Sequence, residues 1–397
     1  MDRRLVVLFL TIFIDLVGFG IFIPVVPFVA RELGASDALV GDTSVVFSLL
    51  MYAFGPFWGA VSDRYGRRPV IAIAVGISAV SYLLFSFAGT IWMLMLSRML
   101  TGVGSANIAA AQAYITDITP PEKRAKSLGM VGAAFGLGFI FGPPLGGLVY
   151  GSLGAPAVGF VAFGLCVINL VGIWLLLPES HAHRDQSAPI RFAPVTATIK
   201  ALRDARFRDL YLIGFIYITA FAMMQTAVPL LWKDDYGLTE AQVSYMFAAV
   251  GLASAIVQGG LLGWLTRRFS EAFLITGGCI LVSLGLAGTC LVPPEHFVPL
   301  SFIPIAFLAL GNGALWPSLA TILTRRASPQ EQGQVLGMNQ SFGSLGRIAG
   351  PLMAGRAYEL GHLLPFLGGA VIMVGALLYV RSFLAAVAMK AVSDERP

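Results

Sequence analysis

The sequence predicts an all-α membrane protein with 12 transmembrane helices arranged as two six-helix bundles. Of its 397 residues, 57% are hydrophobic and only 12% are charged, about half the charged share of an ordinary soluble domain. Apolar stretches of roughly 20 residues recur along the whole chain, and each can cross a hydrocarbon core of about 30 Å as a helix. This composition excludes a soluble protein, which needs more polar surface.

Twelve helices, numbered in chain order, follow from these stretches. Proline and glycine inside them are tolerated because lipid offers the backbone no competing hydrogen-bond partner. The first stretch is too long for a signal peptide and lacks a small-residue cleavage site. The predicted ranges are 5–30, 43–62, 70–88, 91–115, 127–150, 155–177, 209–232, 240–265, 271–292, 297–323, 332–357 and 363–389.

The distribution of Lys and Arg predicts the orientation of these helices. With a cytoplasmic N-terminus, most basic residues fall in cytoplasmic loops, and the opposite face receives Arg31, Lys233 and Arg356. Both termini are therefore expected in the cytoplasm. The same asymmetry accounts for the net charge of +5, so it indicates topology and not a nucleic-acid partner.

The second half of the chain repeats the first. A polar segment, 178–208, reads as a cytoplasmic linker between an N-terminal bundle at 1–177 and a C-terminal bundle at 209–397. Such a duplication is typical of alternating-access carriers with a central binding site. The matches are Gly129, Gly138, Gly142 and Pro143 with Gly337, Gly346, Gly350 and Pro351, and Gly102 and Gly104 with Gly311 and Gly313.

The loop after helix 2 carries a motif with two glycines, one acid and three arginines: Gly59, Asp63, Arg64, Gly66, Arg67 and Arg68. It resembles the G-x-L-x-D-R-x-G-R-R signature of the major facilitator superfamily, with Val61 in place of leucine. The resemblance implies a cytoplasmic gate in which Asp63 lies against the start of helix 11 and stabilises one conformation. Ordinary positive-inside anchoring would explain the arginines but not Asp63.

Helix 5 carries a run of small residues, Gly129, Gly138, Gly142, Pro143, Gly146 and Gly147. Small residues let helices approach closely, and Gly-Pro bends a helix. The spacing matches the motif of proton-coupled antiporters in that superfamily. With Arg98-x3-Gly102 in helix 4, it is similar to the drug/proton antiporters with 12 helices, above all the tetracycline/proton antiporters of bacterial inner membranes.

Asp15 is the only acid well inside a predicted helix, near the middle of helix 1. A carboxylate is costly at that depth, and Arg98 is the expected cation. We predict that both couple transport to protons: Asp15 takes a proton from outside and releases it inside, and drug competes with the proton. The alternative is a permanent Asp15–Arg98 ion pair that only joins two helices.

Other polar or aromatic residues inside the helices predict the wall of the substrate site. Arg347 in helix 11 is a second buried cation, which either selects anionic groups or faces a backbone carbonyl. The predicted substrate-binding residues are Phe19, Phe22, Tyr52, Asn107, Gln112, Gln225, Gln258, Asn312, Trp316, Asn339 and Gln340.

The tetracycline exporters also carry an acid in helix 3, a His in helix 8 and an acid in helix 9. Here those places hold Ser81, Ser254 and Leu281-Val282, and the counterpart of Asp15 in helix 7 is Tyr217. These departures favour a lipophilic or cationic compound over tetracycline and about one proton per cycle.

The sequence therefore predicts a monomeric proton-coupled efflux antiporter whose partners are a small molecule, protons and the lipid bilayer. A symporter or uniporter for a nutrient is the alternative on the same fold, and a non-transporting sensor is a third possibility. The cysteines Cys166, Cys279 and Cys290 show no metal-binding spacing, and no catalytic motif is present, so no cofactor, metal or enzyme activity is expected.

Overall fold

A computed structural model describes residues 3–120, 124–180, 194–328 and 331–394 of the chain. Within these ranges the chain is helical, as predicted. The helices are α1 Arg3–Glu32, α2 Asp37–Tyr65, α3 Arg67–Ser86, α4 Ile91–Gly104, α5 Ile108–Ile118, α6 Arg124–Leu153, α7 Ala155–Leu176, α8 Pro194–Arg203, α9 Arg208–Asp234, α10 Glu240–Ile256, α11 Leu262–Arg268, α12 Glu271–Thr289, α13 Phe297–Arg326, α14 Gln332–Leu360 and α15 Leu364–Asp394.

Nine of the helices in the described ranges are long and apolar enough to cross a membrane. The other three predicted helices depart from that pattern for visible reasons. Helix 4 is divided into α4 and α5 by a 3₁₀ turn at Ser105–Asn107, and helix 8 into α10 and α11 by a π-turn at Val257–Leu261. Helix 11, which is α14, is rich in glycine and polar residues. Such interruptions are frequent at functional sites.

The linker contains a short helix that the sequence analysis did not predict. Helix α8 lies within 178–208, and the hydroxyl of its Thr198 is 2.8 Å from the hydroxyl of Tyr52 in α2. Linker residues 181–193 lie outside the described residues. The described part of the linker therefore contacts the first half of the bundle through α2.

Glycines in α6 pack this helix directly on α1. A methyl group at Gly138 would lie 2.6 Å from Cβ of Leu16, and one at Gly142 would lie 2.6 Å from Cα of Gly20. A methyl group at Gly146 would likewise lie 2.7 Å from the carbonyl carbon of Ile21. The predicted antiporter motif therefore forms the surface against which the Asp15 segment of α1 is held.

The repeat in the second half makes the equivalent contact. In α14, a methyl group at Gly346 would lie 2.9 Å from Cβ of Ile218, and one at Gly350 would lie 2.6 Å from the carbonyl oxygen of Thr219. Both partners are in α9, the counterpart of α1. Helix 11 is thus packed on helix 7 by the same small-residue spacing that packs helix 5 on helix 1.

The helices of the first half, α1 to α7, and those of the second half, α9 to α15, meet closely at the outer end of the bundle, which we define as the end opposite the N-terminus. There the amide of Ala38 at the start of α2 donates to Glu359 of α14 at 2.9 Å. A methyl group at Gly151 of α6 would lie 3.2 Å from Cα of Ala241 in α10. Toward the other, inner end, Gly129 and Gly132 of α6 face open space. The bundle is therefore closed at its outer end in this structure.

Ion pairs join the two sets of helices at the outer end. Arg31 of α1 binds Asp37 at 2.7 Å and Asp234 of α9 at 2.8 Å, and Asp234 also accepts a hydrogen bond from Tyr358 at 2.9 Å. Arg356 of α14 binds Asp42 of α2 at 3.0 Å. Arg31 and Arg356 were expected on this face, but their partners were not predicted.

We expect Arg31→Gln to loosen the outer end, because it removes two partly exposed ion pairs that each contribute up to about 1 kcal/mol. Spin labels at Phe87 and Leu291, both in outer loops, would report a longer distance by electron paramagnetic resonance in a chain without its native cysteines. Arg267→Gln, at an exposed position on the inner end, is the control. An unchanged distance distribution in the Arg31 variant would contradict this role.

We expect Gly142→Ala to destabilise the protein by about 1–3 kcal/mol, since the added methyl group cannot fit against Gly20. Gly164→Ala is the matched control, because open space surrounds Gly164 and the gain in helix propensity is the same. Thermal unfolding in detergent compares the two variants. Equal midpoints would show that the α1–α6 contact adapts to the extra methyl group.

Candidate functional site

A cavity of about 770 Å³ lies between the two sets of helices. Most of its wall comes from α9, α10, α13 and α14, and the first half contributes mainly residues of α6. The wall combines aromatic rings with side-chain amides, the usual composition of a site for amphipathic small molecules. Its size suits a drug-sized compound.

Six of the predicted substrate-binding residues line this cavity. They are Gln112, Gln225, Asn312, Trp316, Asn339 and Gln340. Gly129 and Pro143 of the helix 5 motif also border it. The rule that polar residues within a membrane helix turn inward therefore located over half of the predicted wall.

The remaining predicted residues lie elsewhere. Phe22 packs between Tyr82 and Phe85, with ring centroids 4.8 and 4.7 Å away. Tyr52 is buried under Thr198 of the linker helix. Assigning these two to the cavity wall was wrong, because periodicity alone does not separate a cavity face from a packed face. The side chain of Gln258 lies outside the described residues.

Asp15 lies in a second, much smaller chamber of about 30 Å³, large enough for about one water molecule. Its side chain is 8% exposed, and its Oδ2 accepts a hydrogen bond from Nδ2 of Asn107 at 2.9 Å. Its Oδ1 has no hydrogen-bond partner among the described residues. Phe19 also lines the chamber and stacks on Phe47 at 5.1 Å. Asn107 thus binds Asp15. It does not line the large cavity, which was its predicted position.

Arg98 does not pair with Asp15, contrary to prediction. Within the described residues no ion pair joins them, and Arg98, 4% exposed, lies over the rings of Phe22 and Phe47 at 5.7 and 4.7 Å. Its Nε and Nη1 have no hydrogen-bond partner there. Asn107 reaches Asp15, and Arg98 precedes Asn107 by nine residues, or about 13 Å of helix toward the outer end. Distance along helix 4 therefore explains the missing pair.

The counterpart of Asp15 in the second half is a cavity residue that the sequence analysis noted only as uncharged. Tyr217 of α9 lines the large cavity and donates a hydrogen bond to Oδ1 of Asn312 in α13. Its ring lies 6.2 Å from that of Trp316. Each half thus links its first helix to an asparagine of its fourth. The internal repeat was the signal that could have identified Tyr217.

Arg347 of α14 borders both the large cavity and the Asp15 chamber. Its Nη2 donates a hydrogen bond to Oγ of Ser344 at 3.3 Å. Among the described residues it forms no ion pair and no hydrogen bond to a backbone carbonyl. Arg347 therefore does not bind a backbone carbonyl in the described part of the chain, and its position at the cavity wall is compatible with the other predicted role, contact with anionic groups.

Among the described residues, the predicted inner gate shows no ion pair to helix 11. Asp63 binds Arg67 of its own motif at 2.5 Å, and Arg67 also binds Asp117 at 3.1 Å. Glu179 accepts a hydrogen bond from the amide of Arg67 at 2.9 Å, next to Gly66, whose φ of 106° favours glycine. The motif is thus held by the first half and the beginning of the linker.

The rest of the motif is held by the same half. Arg64 lies over the ring of Tyr65, and Arg68 donates to the carbonyl oxygen of Trp174 at 2.5 Å. Gly59 packs near Ala109, to which a methyl group would come within 3.8 Å. Asp117 and Glu179, which anchor Arg67, were not predicted as part of this cluster.

A bundle of membrane-crossing helices, built from two repeats and enclosing a central cavity closed on one side, defines a membrane transporter of the alternating-access type. The model of the Major Facilitator Superfamily matches residues 8–351, so the chain belongs to this superfamily. It is accordingly a multi-pass membrane protein of a transporter family.

Curated relatives cover nearly the whole chain. The class C tetracycline resistance protein of Escherichia coli is 30% identical, over 96% of this chain and 95% of that protein. Multidrug resistance protein 1 of Bacillus subtilis (strain 168) is 31% identical, over 91% of each. The crystal structure of the human organic anion transporter MFSD10 superposes with a TM-score of 0.75 at 23% identity, covering 95% of this chain and 99% of that one, and shows the shared fold.

Proposed function

We propose that the protein is a proton-coupled antiporter that exports a small lipophilic compound from the bacterial cytoplasm by alternating access. The observation that carries this proposal is Asp15, the only carboxylate buried among the described residues, which keeps one oxygen free in a chamber at the domain interface. The relatives named for drug resistance support export as the direction, and the glycine contacts of α6 support antiport.

In this mechanism Asp15 is the proton carrier. With the outer side open, its free Oδ1 takes up a proton, and the neutral carboxyl loses the cost of a buried charge. With the inner side open, the proton leaves and the compound enters the adjacent cavity. Asn107 keeps the carboxyl group in place through both steps, because Nδ2 donates to the second oxygen in either state.

We propose that the protein lies in the cytoplasmic membrane with both termini inside and that one chain suffices. The outer ion pairs of Arg31 and Arg356 close the side that faces away from the cytoplasm. The motif around Asp63 closes the inner side in the opposite conformation, when its carboxylate exchanges Arg67 for the start of α14. Tetracycline remains one candidate among the exported compounds.

A second candidate, a symporter, is favoured by one observation. Arg347 is a cation that borders both the cavity and the Asp15 chamber. If the cargo were an anion bound to Arg347, its charge would repel the ionised form of Asp15, so that proton and cargo would move together. Transport direction in vesicles separates the two candidates, because a symporter accumulates cargo on the side that protons enter.

We expect Asp15→Asn to fold normally but to lose proton-driven transport, because an amide at this position still accepts from Asn107 but cannot carry a proton. Everted vesicles with an imposed pH gradient, tested against a panel of lipophilic dyes and tetracycline, measure this. Glu295→Gln, an exposed acid in an outer loop, is the control. Uphill transport at the native rate in the Asp15 variant would refute the proposal.

We also expect close to one proton per exported molecule, since Asp15 is the single buried carboxylate among the described residues. Proton flux and compound flux measured side by side in proteoliposomes determine this ratio. A ratio of two or more would require a second proton carrier, which the present site does not contain.

A further inference from the structure

The large cavity has an uneven charge. Its described wall contains one charged side chain, Arg347, and no carboxylate. Asp15 faces the separate small chamber and does not border the large cavity in this conformation. A positively charged compound in the cavity would therefore meet a cation and find no carboxylate to pair with.

The guanidinium group of Arg347 is presented to the cavity by the residues around it. A methyl group at Gly343, one turn earlier in α14, would be in ordinary van der Waals contact both with Nη1 of Arg347, at 3.6 Å, and with the Trp316 ring, at 3.4 Å. The guanidinium and this aromatic ring therefore lie on either side of the same small residue at the cavity wall. Its one hydrogen bond within the described residues goes to Ser344, and an arginine has five N–H donors.

A second polar group on the same face of α14 is also unsatisfied. Asn339, two turns before Arg347, borders the cavity and is 3% exposed, and its Oδ1 has no hydrogen-bond partner among the described residues. That oxygen is buried beside α9, where a methyl group at Gly214 would lie 3.4 Å from it, so it is not offered to the cavity contents. The N–H donors of Arg347 are therefore the groups that can bind an anion in the cavity.

We propose that Arg347 binds an anionic group, such as a carboxylate, on a compound whose aromatic body lies against Trp316 and Tyr217. A planar guanidinium recognises a carboxylate with two parallel hydrogen bonds. This inference rests on the proposed function in taking the cavity as the transport site, and it replaces the cationic cargo expected from the sequence. It does not depend on the direction of proton movement.

Asp15 does not neutralise the positive charge of Arg347 by pairing with it. Both residues border the small chamber, yet no ion pair joins them. Arg98, a buried arginine of helix 4, lies over the rings of Phe22 and Phe47 and does not border the large cavity. Arg347 is therefore the basic group that a bound anion meets first.

Binding of three probes with the same rings tests this inference: 2-naphthoate, 2-naphthamide and 2-naphthylmethylammonium, which differ in charge. Calorimetry on the full chain in nanodiscs, without a pH gradient, gives their affinities. We expect naphthoate to bind about tenfold or more tightly than the amide, the usual gain from a charge-assisted bidentate pair. The ammonium probe should bind most weakly of the three.

Variants then assign the preference to Arg347. Arg347→Gln should bring naphthoate and the amide to equal affinity, and Arg347→Lys, which keeps the charge but not the planar fork, should retain part of the preference. Arg267→Gln, exposed at the inner end, should bind as the native chain does. The probe comparison in the native chain stands by itself if the Arg347→Gln variant does not fold.

Equal binding of naphthoate and the amide by the native chain, an unchanged preference in Arg347→Gln, or no binding of any probe would each overturn the inference. These outcomes are distinct from failure of the proposed function. Loss of proton antiport leaves the affinities in nanodiscs unchanged, whereas antiport of a neutral dye without preference for naphthoate would reject only the anion site.

Discussion

The cost of a charge inside a membrane protein is the constraint on which this site depends. Asp15 and Arg98 are buried within the bundle and Arg347 borders its cavity, and no ion pair joins any two of these three side chains among the described residues. Burying such groups unpaired is unfavourable, and a permanent pair between them would lower that cost. Because they are not paired with one another, Asp15 can bind and release a proton and Arg347 can bind a ligand during a transport cycle, while Arg98 lies over aromatic rings.

Close helix packing determines where these groups lie. The glycines of α6 bring its backbone against α1 beside Asp15, and the 3₁₀ turn in helix 4 places Asn107 within reach of the carboxylate. The repeated glycines of α14 pack on α9 beside Tyr217. The same contact thus supports a titratable group in the first half and a neutral phenol in the second, so the duplicated scaffold carries an asymmetric chemistry.

The charge of the cargo decides how protons and cargo are coupled. A cation near Asp15 favours its ionised form, so that proton and cargo exclude each other, which is the logic of antiport. An anion near Asp15 favours the neutral form, and proton and anion then travel together unless the conformational cycle separates them. The position of Arg347 between the large cavity and the Asp15 chamber makes it the residue through which cargo charge acts on the proton site.

The sequence by itself determined the fold, the repeat and the presence of a lone buried acid, because apolar length, small-residue spacing and a carboxylate within an apolar run are local properties. Six amide or aromatic wall residues followed from the same reasoning. Only the tertiary structure decided that Asp15 binds Asn107 and not Arg98, that Tyr52 meets the linker helix, and that Arg347 borders two cavities. These contacts depend on the axial offset and rotation of packed helices, which residue types in a single sequence do not specify.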